Sequence, residues 1–241
     1  RASERVRKMF PGWDVRSEAF ADSPAWAVIR TSDEWKPDLV IVGAQGHTVL
    51  GGRLILGSVS QRVLYEARCT VRVARTPQNE MDAPSRIVIG TDGSPDSEAA
   101  VEAVAARTWP IGSEVRVVTV LDTVMPVTPD SAQPTVIRWV EVEDENDCEW
   151  VREVFEPSAE KLRSAGLNAC VVIRKGNPKQ ALVEEAEEWG ADSIFVGAKG
   201  TRGIDRLLLG SISAAIAARA HCSVEVVRPM LASETESSTK N

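Results

Sequence analysis

Three glycines and a serine late in the chain carry the clearest chemistry. In FVGAKGTRGIDRLLLGS, residues 195–211, two residues separate Gly197 from Gly200 and nine separate Gly200 from Gly210, with Ser211 following at once. Glycine permits positive φ and removes the Cβ, so backbone N–H groups can curl around an anion and approach it closely. Directly after Ser211 comes ISAAIAARA, a good helix former whose first-turn N–H groups and positive dipole end would point at the same anion. Together they read as a phosphate cradle. Glycines after a strand are otherwise turn punctuation, but here the pattern occurs twice. Gly43, Gly46, Gly57 and Ser58 repeat it, with ten residues between the second and third glycines.

Composition bounds what such a cradle could serve. With 241 residues, 43% hydrophobic and 26% charged, the chain is an ordinary globular protein of one or two domains. A net charge of −7 without a basic cluster argues against nucleic acid and anionic membranes as partners. No apolar run approaches the roughly 20 residues of a spanning helix, and nothing resembles a signal peptide. The expected location is the cytoplasm. Cys69, Cys148, Cys170 and Cys222 lack CxxC spacing and read as reduced, partly buried residues; His47 and His221 lack metal-site context, so no metal centre is expected. A start at Arg1 suggests processing, excision of a domain, or a fragment.

The elements that must position the cradle are themselves repeated. Ser23-Pro24, Trp35, Asp38 and Gly43 match Asn177-Pro178, Trp189, Asp192 and Gly197 at a constant offset of 154. Beyond the extra loop residue the offset is 153, and Gly57-Ser58, Cys69 and Arg75 match Gly210-Ser211, Cys222 and Arg228. Two homologous units follow: residues 1–80, incomplete, and 84–229, complete, with a polar, disordered tail over 230–241. Unit two alternates short apolar strands (Arg86–Gly90, Val115–Leu121, Ala169–Ile173, Ser193–Val196, Ser223–Val227) with amphipathic helices. One helix starts at Ser94-Pro95, one spans about 145–165, one runs from Asn177-Pro178 to Trp189, and one follows Ser211; 122–144 reads as a long loop.

That alternation predicts an α/β fold, a doubly wound, parallel five-stranded sheet in two tandem copies. Ligands bind such sheets where the strand order reverses, a point that Gly90-Thr91-Asp92 and Gly197 should flank. Unit one starts within the counterpart of the third helix–strand segment and lacks its first two strands and first helix. Trp35 and Trp189, at equivalent helix ends, read as packing residues, and the acidic run of 183–189 reads as a solvated helix face. The valine-rich last strands, Thr70–Ala74 and Ser223–Val227, lack an edge-protecting proline. They are expected to pair with each other within the chain or with a second copy in a homodimer.

With GTDGS at Gly90–Ser94, the glycine spacing and the repeat in place, nearly the whole chain resembles the universal stress protein A family in its tandem form. The resemblance implies a Rossmann-like fold that binds ATP or AMP, with Mg2+ as an optional companion. It places Gly90 and Asp92 beside adenine and ribose and Val120 at the adenine-contacting backbone position. Val196 and Gly197 fall at the fourth-strand end, Lys199 at a commonly basic position, and Gly200, Gly210, Ser211 and Ile212 in the triphosphate cradle. The corresponding function is a nucleotide-binding stress-response module with slow hydrolysis or none. Two alternatives stand beside it: a small ATP-using enzyme that adenylates a substrate, and a regulatory module of a transporter or sensor. Neither a P-loop nor a GxGxxG fingerprint is present.

Overall fold

The computed structural model describes residues 2–44, 56–75, 83–121, 145–200 and 209–229, side chains of 145–148 excepted. The expected loop over 122–144 and tail over 230–241 lie outside them. Two helices begin as their caps dictate. Ser94 Oγ accepts from Ser97 N–H (3.3 Å) ahead of α4, Pro95–Ala105, and Asn177 Oδ1 accepts from Lys179 N–H (2.9 Å) ahead of α6, Pro178–Trp189. Gly190 ends α6 in the left-handed conformation (φ 68°), the standard way to satisfy the last carbonyls. Its counterpart ending α2, Pro24–Trp35, is Lys36 (φ 48°), which adopts the same conformation with a Cβ to accommodate.

Five strands form unit two: β3 (Arg86–Thr91), β4 (Glu114–Leu121), β5 (Asn168–Lys175), β6 (Ser193–Gly197) and β7 (Ser223–Val227). Unit one contributes β1 (Leu39–Gly43) and β2 (Thr70–Ala74). All seven join one sheet in the order β1-β2-β7-β6-β3-β4-β5. Every neighbouring pair is parallel except β2 and β7, which run antiparallel with Val71 opposite Val226, Arg72 opposite Glu225 and Val73 opposite Val224. The two last strands thus pair with each other, and neither edge is left open.

Helices cover the two faces unequally. On one face α2, α6, α3 (Ser58–Glu66) and α7 (Ser211–Arg219) bury Ile29, Leu64, Leu182 and Ile216 against both units. On the other, α4 and α5 (Glu145–Ser164) bury Val101, Val104, Phe155 and Leu162 against unit two. Among the described residues no helix packs on that second face in unit one: Ile41 of β1 is 61% exposed, whereas its counterpart Phe195 is fully buried under α4. The helix α1 (Ala2–Met9), which matches the end of α5, buries no residue. Residues 14–21, matching β5, form no strand, since this chain has no β4 counterpart for them to pair with. Among the described residues no helix is long and apolar enough to cross a membrane.

Three sequence expectations need correction. Trp35 is 78% exposed, while Trp189 is half-buried beneath the guanidinium groups of Arg86 and Arg116. Those arginines come from β3 and β4, strands with no equivalent beside Trp35. Within the acidic run, Glu185 faces inward and is buried, paired with Arg116 (2.6 Å) and Arg174 (3.3 Å) from β4 and β5. Cys170 is exposed on the outermost strand, unlike half-buried Cys69 and buried Cys222.

Burial pushes the Cys69 thiol up and the Cys222 thiol up to about 11 from 9.0. The unfolded chain releases the Cys222 proton near pH 9 while the folded chain holds it. The contribution of Cys222 to stability is therefore complete below about pH 9 and is lost, by about 2–3 kcal/mol, as pH rises through 11. Thermal melts against pH should show that slope, and Cys222→Ala should reduce it to the part that Cys69 contributes. Native Cys222 should also label slowly with thiol reagents.

Candidate functional site

The carboxyl ends of β3 and β6 lie side by side, with Gly90 opposite Val196. From β3 the chain steps outward to β4 and β5, then crosses to β6 on the other side, so the strand order reverses between β3 and β6. This is the crevice in which doubly wound sheets hold ligands. Here the structure brings together Gly90, Asp92, Val196, Gly197, Lys199 and Gly200, with Gly210, Ser211 and Ile212 at the head of α7.

Hydrogen bonds fold the loop ends onto each other. Gly210 N–H donates to Ala198 O (2.7 Å), Ala198 N–H to Val227 O (2.8 Å) and Ser213 Oγ–H to Gly197 O (2.6 Å). Lys199 N–H donates to Asp96 Oδ2 (3.0 Å), which ties the loop to the first turn of α4. Residues 201–208, the middle of the loop, lie outside the described residues.

The glycines work differently from the expectation of positive φ. Gly197, Gly200 and Gly210 all have negative or extended φ; what matters is the missing Cβ. At Gly197 a Cβ would sit 2.5 Å from Asp96 C and 2.7 Å from Ser97 N, so this glycine lets α4 rest directly on the end of β6. At Gly200 it would sit 2.5 Å from Asp92 Oδ2, and at Gly210 3.1 Å from Ala198 O. Gly90 is a packing position, where a Cβ would press on Leu182 (3.0 Å) and Val196 (3.1 Å). Positive φ is used instead at Gly93 (75°), in the turn into α4.

Asp92 is half-buried; its Oδ1 accepts from Ser94 N–H (3.1 Å), closing the turn after β3, and its Oδ2 faces Gly200. Val120, near the end of β4, is half-buried on the same face as Leu182 and α6. Gly200, Ser211 and Ile212 are exposed, Lys199 and Gly210 half-exposed. The helix α7 follows Gly210, which offers no side-chain cap, unlike the residues ahead of α4 and α6. What fits a phosphate group here is the head of α7, where Gly210 supplies no side-chain cap and the exposed Gly200, Ser211 and Ile212 lie alongside.

Asp96 and Ser213 are the site residues that sequence reasoning missed. Nothing in the sequence marks Asp96 beyond its place in a helix's first turn. Ser213 was signalled by the repeat, since Ser60 Oγ–H likewise donates to Gly43 O (2.5 Å) and Gly57 N–H to Ala44 O (2.9 Å). Gly46 lies outside the described residues, and no counterparts of Asp92 and Val120 precede unit one's glycines in this chain. Among the described residues no three His, Cys, Asp or Glu converge on a metal-sized space.

Known proteins share this fold. A putative universal stress protein of Pseudomonas aeruginosa superposes with a TM-score of 0.62 at 15% identity, over 94% of this chain and 75% of that one. One from Archaeoglobus fulgidus gives 0.57 at 21% identity, over 94% and 79%. At such identities the likeness speaks for the fold. In sequence, a universal stress protein of Mycolicibacterium smegmatis is 30% identical over 219 residues, spanning 90% of this chain and 70% of its own length. Another, from Methanocaldococcus jannaschii, is 36% identical over 81 residues, 33% of this chain and 47% of its own length. The family profile matches twice, over residues 4–75 and again over 84–228, once for each half of the repeat. With both halves matched, the chain belongs to the universal stress protein family.

Proposed function

We propose that this chain binds one adenine nucleotide, ATP or AMP, in the crevice of residues 84–229, and that residues 1–80 are an incomplete copy serving a structural role. The observation that carries this reading is the meeting of Asp92 with Gly200. A Cβ on the loop glycine would collide with a carboxylate oxygen at the end of β3, so the base-and-ribose half and the phosphate half form one continuous site. Gly200, Gly210, Ser211 and Ile212 would hold the phosphates through backbone amides, with Lys199 alongside; Asp92 would accept from the ribose, and Val120 and Val196 would flank the base. Mg2+, when present, would travel with the phosphates.

Binding with a conformational or partner-directed output fits better than turnover. Asp92 Oδ1 and Asp96 Oδ2 already accept backbone N–H groups and hold the loop in place. An adenylating enzyme would need a pyrophosphate grip after β3, where Gly93-Ser94 instead turn directly into α4.

Titration calorimetry with ATP and AMP should give one site per chain. Gly200→Val should weaken binding at least 100-fold, equivalent to about 2.7 kcal/mol, while Gly57→Val should leave it nearly unchanged. Two sites per chain, or loss of binding from the Gly57 change alone, would reverse the assignment of the units.

A further inference from the structure

The pairing of β2 with β7 is almost symmetric about a local two-fold axis, and its contacts come in matched pairs. Arg75 donates to Ala217 O (2.7 Å) and Cys222 O (3.0 Å); its counterpart Arg228 donates to Leu64 O (2.7 Å) and Cys69 O (3.2 Å). Arg75 N–H donates to Ser223 Oγ (3.1 Å) and Arg228 N–H to Thr70 Oγ1 (3.1 Å). The axis passes between Arg72 and Glu225, which are equivalent in the repeat and directly opposed in the ladder. At that one point the symmetry is broken by charge. Glu225 is fully buried and accepts from Arg72 (3.3 Å) and from both terminal nitrogens of Arg107 (2.8 and 2.5 Å), with the two guanidinium groups lying over the ring of Phe195.

A two-fold axis at this position sets each residue against its equivalent. Were β7 to pair in the same register with β7 of a second copy, Glu225 would face another Glu225 in a buried site. Were β2 to pair with a second β2, Arg72 would face Arg72. The first sets two buried carboxylates together, each left with its own Arg107 alone, and the second sets two guanidinium groups together with no carboxylate between them. Only the unlike pairing puts one carboxylate against one guanidinium.

We infer that the Arg72–Glu225–Arg107 cluster is a selectivity device: it makes the β7 surface accept a strand carrying a cation at the axis, here the chain's own β2, and reject a second copy of itself. The surface is otherwise self-complementary, so charge at the axis is what separates an internally paired tandem from a promiscuous dimer-former. The interface takes its register from symmetric contacts and its choice of partner from one asymmetric pair.

The test uses full chains in sedimentation velocity, against the wild type at equal concentrations. Arg72→Leu/Glu225→Leu removes the charge choice and should gain a concentration-dependent species of twice the wild-type mass. Arg72→Glu and Glu225→Arg, mixed one to one after joint unfolding and refolding, should form a mixed dimer by exchanging units. Each interface then holds one carboxylate and one guanidinium, and the mixed species should exceed self-association of either variant at least tenfold. If either charge variant alone melts without cooperativity, the refolded mixture should recover a cooperative melt. Wild-type sedimentation of the leucine double variant, a mixture equal to the sum of its parts, or a mixture that recovers no cooperative melt would each overturn the inference.

Discussion

Gly197→Ala is expected to destabilise the chain by about 3 kcal/mol or more and to abolish the proposed nucleotide binding together with it. Its Cβ would meet the backbone of Asp96 and Ser97 at 2.5–2.7 Å, closer than real Cβ contacts come. No side-chain rotation relieves this, since the obstructing atoms are main chain in the first turn of α4. The helix must lift from the end of β6. Lifting it separates Lys199 N–H from Asp96 and pulls the glycine loop away from Asp92, so fold and site fail through one contact. Urea unfolding beside ATP titration would measure both. Gly12→Ala, where the added carbon meets nothing within 4 Å, should be neutral in both assays. A stable Gly197→Ala protein with intact binding would show that α4 is not fixed by this approach.

Arg75→Ala and Arg228→Ala should each cost about 2–4 kcal/mol, as expected for two charge-assisted hydrogen bonds in partly buried surroundings. Each guanidinium crosses the local axis to a carbonyl in the last turn of the other unit's helix and to a cysteine carbonyl just beyond it. Burial lowers the pKa of both from the usual arginine value, but a guanidinium stays charged throughout the accessible pH range. Because the partners match residue for residue, the two losses should agree within about 1 kcal/mol despite unit one's missing strands. Denaturant unfolding of the two variants decides this. A large loss at Arg228 with almost none at Arg75 would mean that unit one only leans on unit two and does not lock to it.

Much of this protein is legible in order along the chain. Caps such as Ser94-Pro95 and Asn177-Pro178, the C′ Gly190 and short valine-rich runs specify helices and strands through local backbone chemistry, which is why α6 falls over the residues expected of it. The constant offset revealed two units before any contact was known, and the glycine spacing located the crevice. Residues that answer to neighbours far away in the chain were read less well. Glu185 belongs to an acidic stretch, and only the arrival of Arg116 and Arg174 from two other strands makes a buried carboxylate tenable. Trp35 and Trp189 are the same residue in the repeat, yet one is exposed because only the other has β3 and β4 alongside.

The sequence by itself determined the element types, the repeat and the list of residues around the strand-order reversal, because propensity, capping and periodicity act over a few residues. The tertiary structure alone decided what those residues do for one another. It showed that Gly197 is a contact point for α4, that Asp96 holds the loop, and that β2 and β7 meet antiparallel with Arg72 on Glu225. Those outcomes depend on which backbone approaches which, and on where charges are shut away from water. Both are properties of the assembled sheet, and no window along the chain contains them.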